Sequence, residues 1–153
     1  MSGFGDASAE GFVEGRTVLD ELDRDECLRL LATVPVGHIA VGAAGQAPLV
    51  MPVNFALDGD IVVFRSDSGD KLRGMRAWPV TFQVDAFDPY HRTGWSVMIH
   101  GVAEDATRDQ IDRLTVATWA PGPKIWWVQI RPSRITGRGL RLVDLPGDGR
   151  GYL

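Results

Sequence analysis

From Val36 onward apolar and polar residues alternate with a period of two over much of the chain. That alternation marks half-buried strands. The segment from Val36 to Ser66, "VGHIAVGAAGQAPLVMPVNFALDGDIVVFRS", predicts three strands. Their turns fall at Gly42–Gly45 and at Asp58-Gly59-Asp60, the second a strong hairpin signal. In the middle strand Leu49, Met51, Val53, Phe55 and Leu57 share one face, opposite Val50, Pro52, Asn54 and Ala56. A proline there implies an edge, a bulge or a bound group in place of a ladder partner. "PVTFQVDAFD" predicts a fourth strand and "HRTGWSVMIHGVAEDA" a fifth, with Trp95, Val97 and Ile99 opposite Ser96, Met98 and His100. "PGPKIWWVQIRPSRITGRGLRLV" predicts a sixth strand and a shorter seventh.

The helical pattern is sparser. "LDRDECLRLLATV" has Asp23 and Glu26 at capping-box spacing, with Leu22 and Cys27 at the staple positions. Cys27, Leu30, Leu31 and Val34 form its apolar stripe, and Pro35 stops it. "KLRGMRAW" predicts a short helix ended by Pro79. "TRDQIDRLTVATW" predicts an amphipathic helix capped by Thr107, with Ile111, Leu114 and Thr118 on one side. Five to seven strands and three short helices indicate a mainly β fold, an antiparallel barrel. The expected organisation is a flexible arm over 1–18, a barrel domain over 19–145 and a tail over 146–153.

Composition narrows the function. The chain has 153 residues and a net charge of −4, which disfavours nucleic acid as the main partner. Its one cysteine, Cys27, reads as a core residue and allows no internal disulfide. No apolar run approaches the ~20 residues needed to cross a bilayer. No basic-then-apolar leader is visible, so a cytoplasmic location is expected. The three histidines, His38, His91 and His100, lack ligand spacing, and no metal site is expected. His38 reads as packing in the first strand, with proton donation to a substrate as the alternative. His91 reads as loop surface, and His100 as a core or seam residue.

Chemistry concentrates in "FRSDSGDKLRGM", Phe64 to Met75. A strand ends in Arg65-Ser66, turns through Gly69 and delivers Lys71 to the first turn of a helix. The Ser66 hydroxyl, the Lys71 ammonium and free helix N–H groups suit a phosphate, with Arg65 or Arg73 assisting. The same string also reads as a polar loop with a solvated lysine. Arg134 and Arg138 in "SRITGR" read either as a solvated strand end or as cations for a cofactor's polar tail. Of the adjacent Trp126 and Trp127, one points inward and one outward, filling the barrel and a subunit contact or lining a ligand. Trp119 and Lys124 flank "APGP", a rigid loop able to cap a partner's site.

These segments in this order resemble the pyridoxamine 5′-phosphate oxidase-like, FMN-binding split-barrel family, in particular its small bacterial, nitroimidazole-resistance-like branch. The likeness is carried by "LDRDECLRLLATVPVGHIAV", "PLVMPVNFALDGDIVVFRSDSGDKLRGM", "PVTFQVDAFD" and "GWSVMIHGVAED", from Leu22 to Ala106. It continues more weakly to Leu140, and "KIWWVQIRPSRITGR" resembles the last strand of actinobacterial members, some of which use a deazaflavin. The resemblance implies a six- to seven-stranded antiparallel split β-barrel, a homodimer and two flavin sites at the subunit interface. By position, Val50, Met51, Pro52, Val53 and Asn54 match the strand facing the flavin ring edge. Phe64, Arg65, Ser66 and Lys71 match the ribityl-phosphate segment, and Trp95 and Ser96 match a strand bordering the flavin. Position 70 is Asp where members often carry a second cation, and the substrate-phosphate arginines of true pyridoxamine phosphate oxidases are not recognisable. Vitamin B6 synthesis is therefore not expected.

The expected function is an FMN-dependent oxidoreductase passing hydride from an electron donor to a small-molecule substrate, with no side chain marked as catalytic. One alternative is a deazaflavin cofactor, for which Lys71, Arg73, Arg76, Lys124 and Arg138 offer a basic groove. Another is a non-catalytic barrel binding flavin, haem or a tetrapyrrole.

Overall fold

The period-two segments pair as antiparallel strands. The computed structural model describes residues 15–67 and 78–144. In chain order they form β1 (Gly15–Leu22), α1 (Arg24–Leu31), β2 (Val36–Ala43), β3 (Gln46–Asp58) and β4 (Ile61–Ser66). There follow β5 (Trp78–Asp88), β6 (Thr93–Asp105), α2 (Arg108–Arg113) and β7 (Trp126–Asp144). The sheet order is β1-β7-β4-β3-β2-β5-β6, and β6 also pairs with β7. That last pairing closes β2 to β7 into a ring, with β1 outside on the Gly137–Asp144 half of β7.

The ring is split because β4 is short. It pairs with Phe55–Asp58 of β3 and with Trp126–Ile130 of β7. Beyond it, among the described residues, positions 46–54 of β3 have a ladder partner on one side only, β2. Pro52 lies in this edge half, opposite His38. A residue with no N–H to donate is tolerated there.

Burial follows the alternation. Val62 and Phe64 of β4, Phe82 and Val84 of β5, Val97 and Ile99 of β6, and Val128 and Ile130 of β7 fill the barrel. Phe55 packs edge-on against Phe82, ring centroids 5.0 Å apart. Removing each such side chain from water contributes roughly 1.5–3 kcal/mol, against about 0–1 kcal/mol for an exposed ion pair. The inward set therefore decides the fold.

α1 closes onto this core with Cys27 and Leu31, both fully buried. Asp23 caps it by accepting from the Glu26 N–H at 2.8 Å. The reciprocal half of the expected capping box is absent, because the Glu26 carboxylate takes the Arg29 guanidinium instead. Leu28, rather than Leu30, packs beside the buried pair. The helix ends at Leu31, short of Pro35; the Thr33 N–H and hydroxyl both donate to the Leu30 carbonyl and unwind the last turn. At Gly101 a register shift occurs in the β6–β7 ladder, and an added Cβ would lie 2.3 Å from the Arg131 carbonyl oxygen. That bulge lets β7 run on as one strand of 19 residues.

Four expectations change. β1 begins at Gly15, inside the segment read as an arm, because Arg16–Leu22 finds a ladder along β7. The helix expected over 107–119 stops after Arg113: Leu114 is extended (φ −92°, ψ 143°). Beyond it Val116 is buried and its carbonyl accepts from Arg65, contacts that an extended chain makes and a helix would not. The expected sixth and seventh strands are one, β7. Trp78 opens β5 rather than ending a helix. The rest of that helix, with Lys71, Arg73 and Arg76, lies outside the described residues, as does the expected tail. No described helix is long and apolar enough to cross a membrane.

Candidate functional site

With one parity of each strand committed to the core, the other parity builds an outer face. Register aligns it into rows. Val50, Ala40, Thr81, His100 and Arg134 form one row across β3, β2, β5, β6 and β7. Pro52, His38, Gln83, Met98 and Thr136 form the next. Asp85, Ser96, Arg138 and Glu21 form a third, reaching β1.

Among the described residues, concavities indent this face in two places of note. One, of about 610 Å³, is walled by Glu21 and Leu22 of β1, by Ser96, Met98 and His100, and by Arg134–Arg138. The other, of about 420 Å³, lies among Ala40, Pro48, Thr81, His100 and Ser133. His100 borders both. Its Nδ1 stands 3.1 Å from the Thr81 hydroxyl, and the Ser133 hydroxyl donates to its carbonyl. The Gln83 amide donates to Asp85 at 2.7 Å and to the Ser96 hydroxyl at 3.3 Å. Met98 gives the larger cleft an apolar wall, and Val50, 57 % exposed on β3, adds apolar surface elsewhere on this face.

The second region is the end of β4. Ser66 pairs with Trp126 and shares the inward parity of Phe64 at the barrel's end. Arg65 points out, donating from Nε to the Lys124 carbonyl at 3.0 Å and from a terminal nitrogen to the Val116 carbonyl at 3.3 Å. Its guanidinium lies over Trp127, 5.1 Å from the ring centroid. Lys124 donates to the Pro121 carbonyl and stands 3.8 Å from the Asp67 carboxylate. Arg65 therefore anchors the 114–125 segment, whose Trp119 and Ile125 are each 70 % exposed.

Each expected site residue but Lys71 has a place among the described residues. Val50 and Pro52 are outward on the β3 edge; Met51 and Val53 are inward and pack on the core. Asn54 donates to the Pro35 carbonyl and accepts from the Trp119 N–H at 2.8 Å. Phe64 is fully buried, its side chain part of the barrel core. Trp95 packs against the core, whereas Ser96 opens into the larger cleft. Lys71 lies outside the described residues. From the level of Ser66 to Arg134 is roughly 26 Å along β7 at the usual strand rise. In one chain, then, the β4 end and the larger cleft are separate regions. Trp126 turns inward, its indole N–H on Asp105, and Trp127 outward.

Glu21, Met98 and Thr136 of the larger cleft were not singled out from the sequence as site residues. The alternation of Ser96, Met98 and His100 was a usable signal, but nothing local shows that Arg134 and Arg138 lie beside them. Cys27 is no reactive thiol: burial, with the nearby Asp23 and Glu26 carboxylates, pushes its pKa up.

The sequence model of the pyridoxamine 5′-phosphate oxidase family matches residues 23–139. An uncharacterized protein of Mycobacterium tuberculosis is 33 % identical over 132 residues, covering 80 % of this chain and 85 % of that one. The FAD binding protein from Mycobacterium smegmatis superposes with a TM-score of 0.66 at 29 % identity, over 81 % of this chain and 100 % of its own. A FAD-binding protein from Mesorhizobium loti superposes with a TM-score of 0.67 at 25 % identity, over 82 % and 99 %.

Proposed function

Because the chain belongs to the pyridoxamine 5′-phosphate oxidase family, we propose that it is a flavin-dependent oxidoreductase in which two copies of the barrel hold the cofactor between them. The observation that carries this reading is the edge half of β3, whose Pro48 borders the smaller cleft, on the same outer face as the larger one. A flavin needs an apolar slot, backbone donors and acceptors for its pyrimidine edge, and cations for its phosphate. Val50, Pro52 and Met98 supply apolar surface. Positions 46–54 supply ladder groups with no strand partner on one side among the described residues. Ser66 with Lys71 is the proposed phosphate contact, and Arg134 and Arg138 are further cations.

The roughly 26 Å between the β4 end and the larger cleft supports a site shared between two chains. The exposed Val50 and Met98 on the outer face are the apolar contacts such a homodimer would use. The relatives described as FAD binding proteins support a flavin, with FMN or FAD as its form. A bound flavin supplies the ring that accepts and passes on hydride. The chain's own share is to seat that ring, shield it and fix its polar end.

The test is a visible absorption spectrum of the freshly purified protein, followed by titration with FMN, FAD and a deazaflavin in competition. Binding of FMN or FAD in the micromolar range or tighter is expected, with turnover of a reduced nicotinamide in steady state. A colourless protein that binds neither flavin overturns the reading.

A further inference from the structure

Along β7 the arginines behave differently. Arg131 pairs with Glu104 and Arg141 with Asp20. Between them Arg134 and Arg138 make no ion pair or hydrogen bond among the described residues, and both line the 610 Å³ cleft. Arg138 stands in register opposite Glu21, a carboxylate of the same cleft, yet the two do not join. An exposed Arg–carboxylate contact is worth only about 0–1 kcal/mol, so leaving it unmade costs little. The guanidinium stays available to a ligand.

We propose that Arg134 and Arg138 form a clamp for a diphosphate-bearing small molecule. The two share a face, about 13 Å apart along the strand, with Thr136 between them. Both side chains are long enough to converge above it. Each planar guanidinium matches one phosphate bidentately, so two of them select two adjoining phosphates over one. The Thr136 and Ser96 hydroxyls add neutral donors, and Met98 offers an apolar wall. The cleft volume is within the roughly 300–1,000 Å³ of small-molecule sites. The clamp rests on the flavin reading only for the identity of its ligand, which is either the dinucleotide form of the cofactor or a separate phosphorylated substrate.

The experiment is calorimetric titration of the full chain, freed of cofactor, with inorganic pyrophosphate, FAD and FMN, in wild type and in Arg134→Gln/Arg138→Gln. Pyrophosphate is expected to bind wild type and to lose at least tenfold in affinity in the double variant, about the effect of one charge-assisted hydrogen bond. Arg134→Lys/Arg138→Lys should fall between, keeping charge but not the fork. Both residues are exposed, so the unfolding midpoint should stay put. Pyrophosphate that displaces FAD but not FMN identifies the cofactor's own diphosphate. Pyrophosphate that binds beside FAD identifies a substrate's. No pyrophosphate binding, or less than a threefold change in the double variant, overturns the clamp. Flavin binding without pyrophosphate binding would end the clamp and spare the flavin reading; the reverse result would do the opposite.

Discussion

A Cβ at Gly137 would lie 2.5 Å from the Cys27 sulfur and 3.2 Å from the Ser96 carbonyl oxygen. The absence of a side chain there lets α1 press on β7. Gly137→Ala should cost about 1–3 kcal/mol through overpacking, measured by urea unfolding. Cys27→Ala in the same chain should recover part of that loss, since the two positions share one space. Fully additive costs would show that the strain lies in the backbone. Asp58 acts on a different axis. The Gln110 amide and then the Arg113 guanidinium hold its carboxyl below the usual 3.8. A carboxyl whose pKa is lower in the folded state stabilises fully above its unfolded value, and that contribution fades as pH falls through the folded one. Asp58→Asn should therefore flatten the stability loss below about pH 4. An unchanged acid slope would remove Asp58 from the account.

At the scale of elements, α2 is six residues long and held by its neighbours more than by its own turns. Gln110 is buried, accepts from the Thr107 N–H, and donates to Asp58 and Gln129. Gln129 in turn donates to Glu104. Gln110→Ala should cost about 1–3 kcal/mol, because the buried Gln129 oxygen loses its donor. Amide exchange in 108–113 should speed up first. The 114–125 segment depends on Arg65 in the same way, through the Val116 and Lys124 carbonyls. Arg65→Ala should leave the barrel folded and make this segment the first site of limited proteolysis. Cleavage at the same rate as in wild type would show that the Asn54–Trp119 contact suffices.

For the whole molecule the decisive question is assembly. Val50 is exposed on the half of β3 that lacks a second ladder partner among the described residues. If two barrels meet there, Val50→Asp should convert the dimer to monomers by analytical ultracentrifugation, with the unfolding midpoint measured alongside. Flavin affinity should fall with it, since in the proposed arrangement each site would draw on both copies. A wild-type chain that sediments as a monomer at micromolar concentration would defeat the shared-site arrangement.

Much of this protein is legible in its sequence, because much of it is local. Period-two alternation from Val36 to Ser66 marks β2, β3 and β4, and Pro52 marks the edge of the split. Asp23 announces the start of α1 and Thr107 that of α2. Parity alone separates Trp95 from Ser96 and Phe64 from Arg65. Other features depend on partners far along the chain. β1 is a strand because β7 is there to receive it. α2 ends early because Arg65, from a distant strand, takes the Val116 carbonyl. The larger cleft exists because β6 and β7 pair in one register, setting His100 opposite Arg134 and Ser96 opposite Arg138. The sequence determined which side chains leave the core, since that follows from hydrophobicity and a repeat of two. Only the tertiary structure decided which of them meet, since a ladder register is chosen by the packing of the whole barrel.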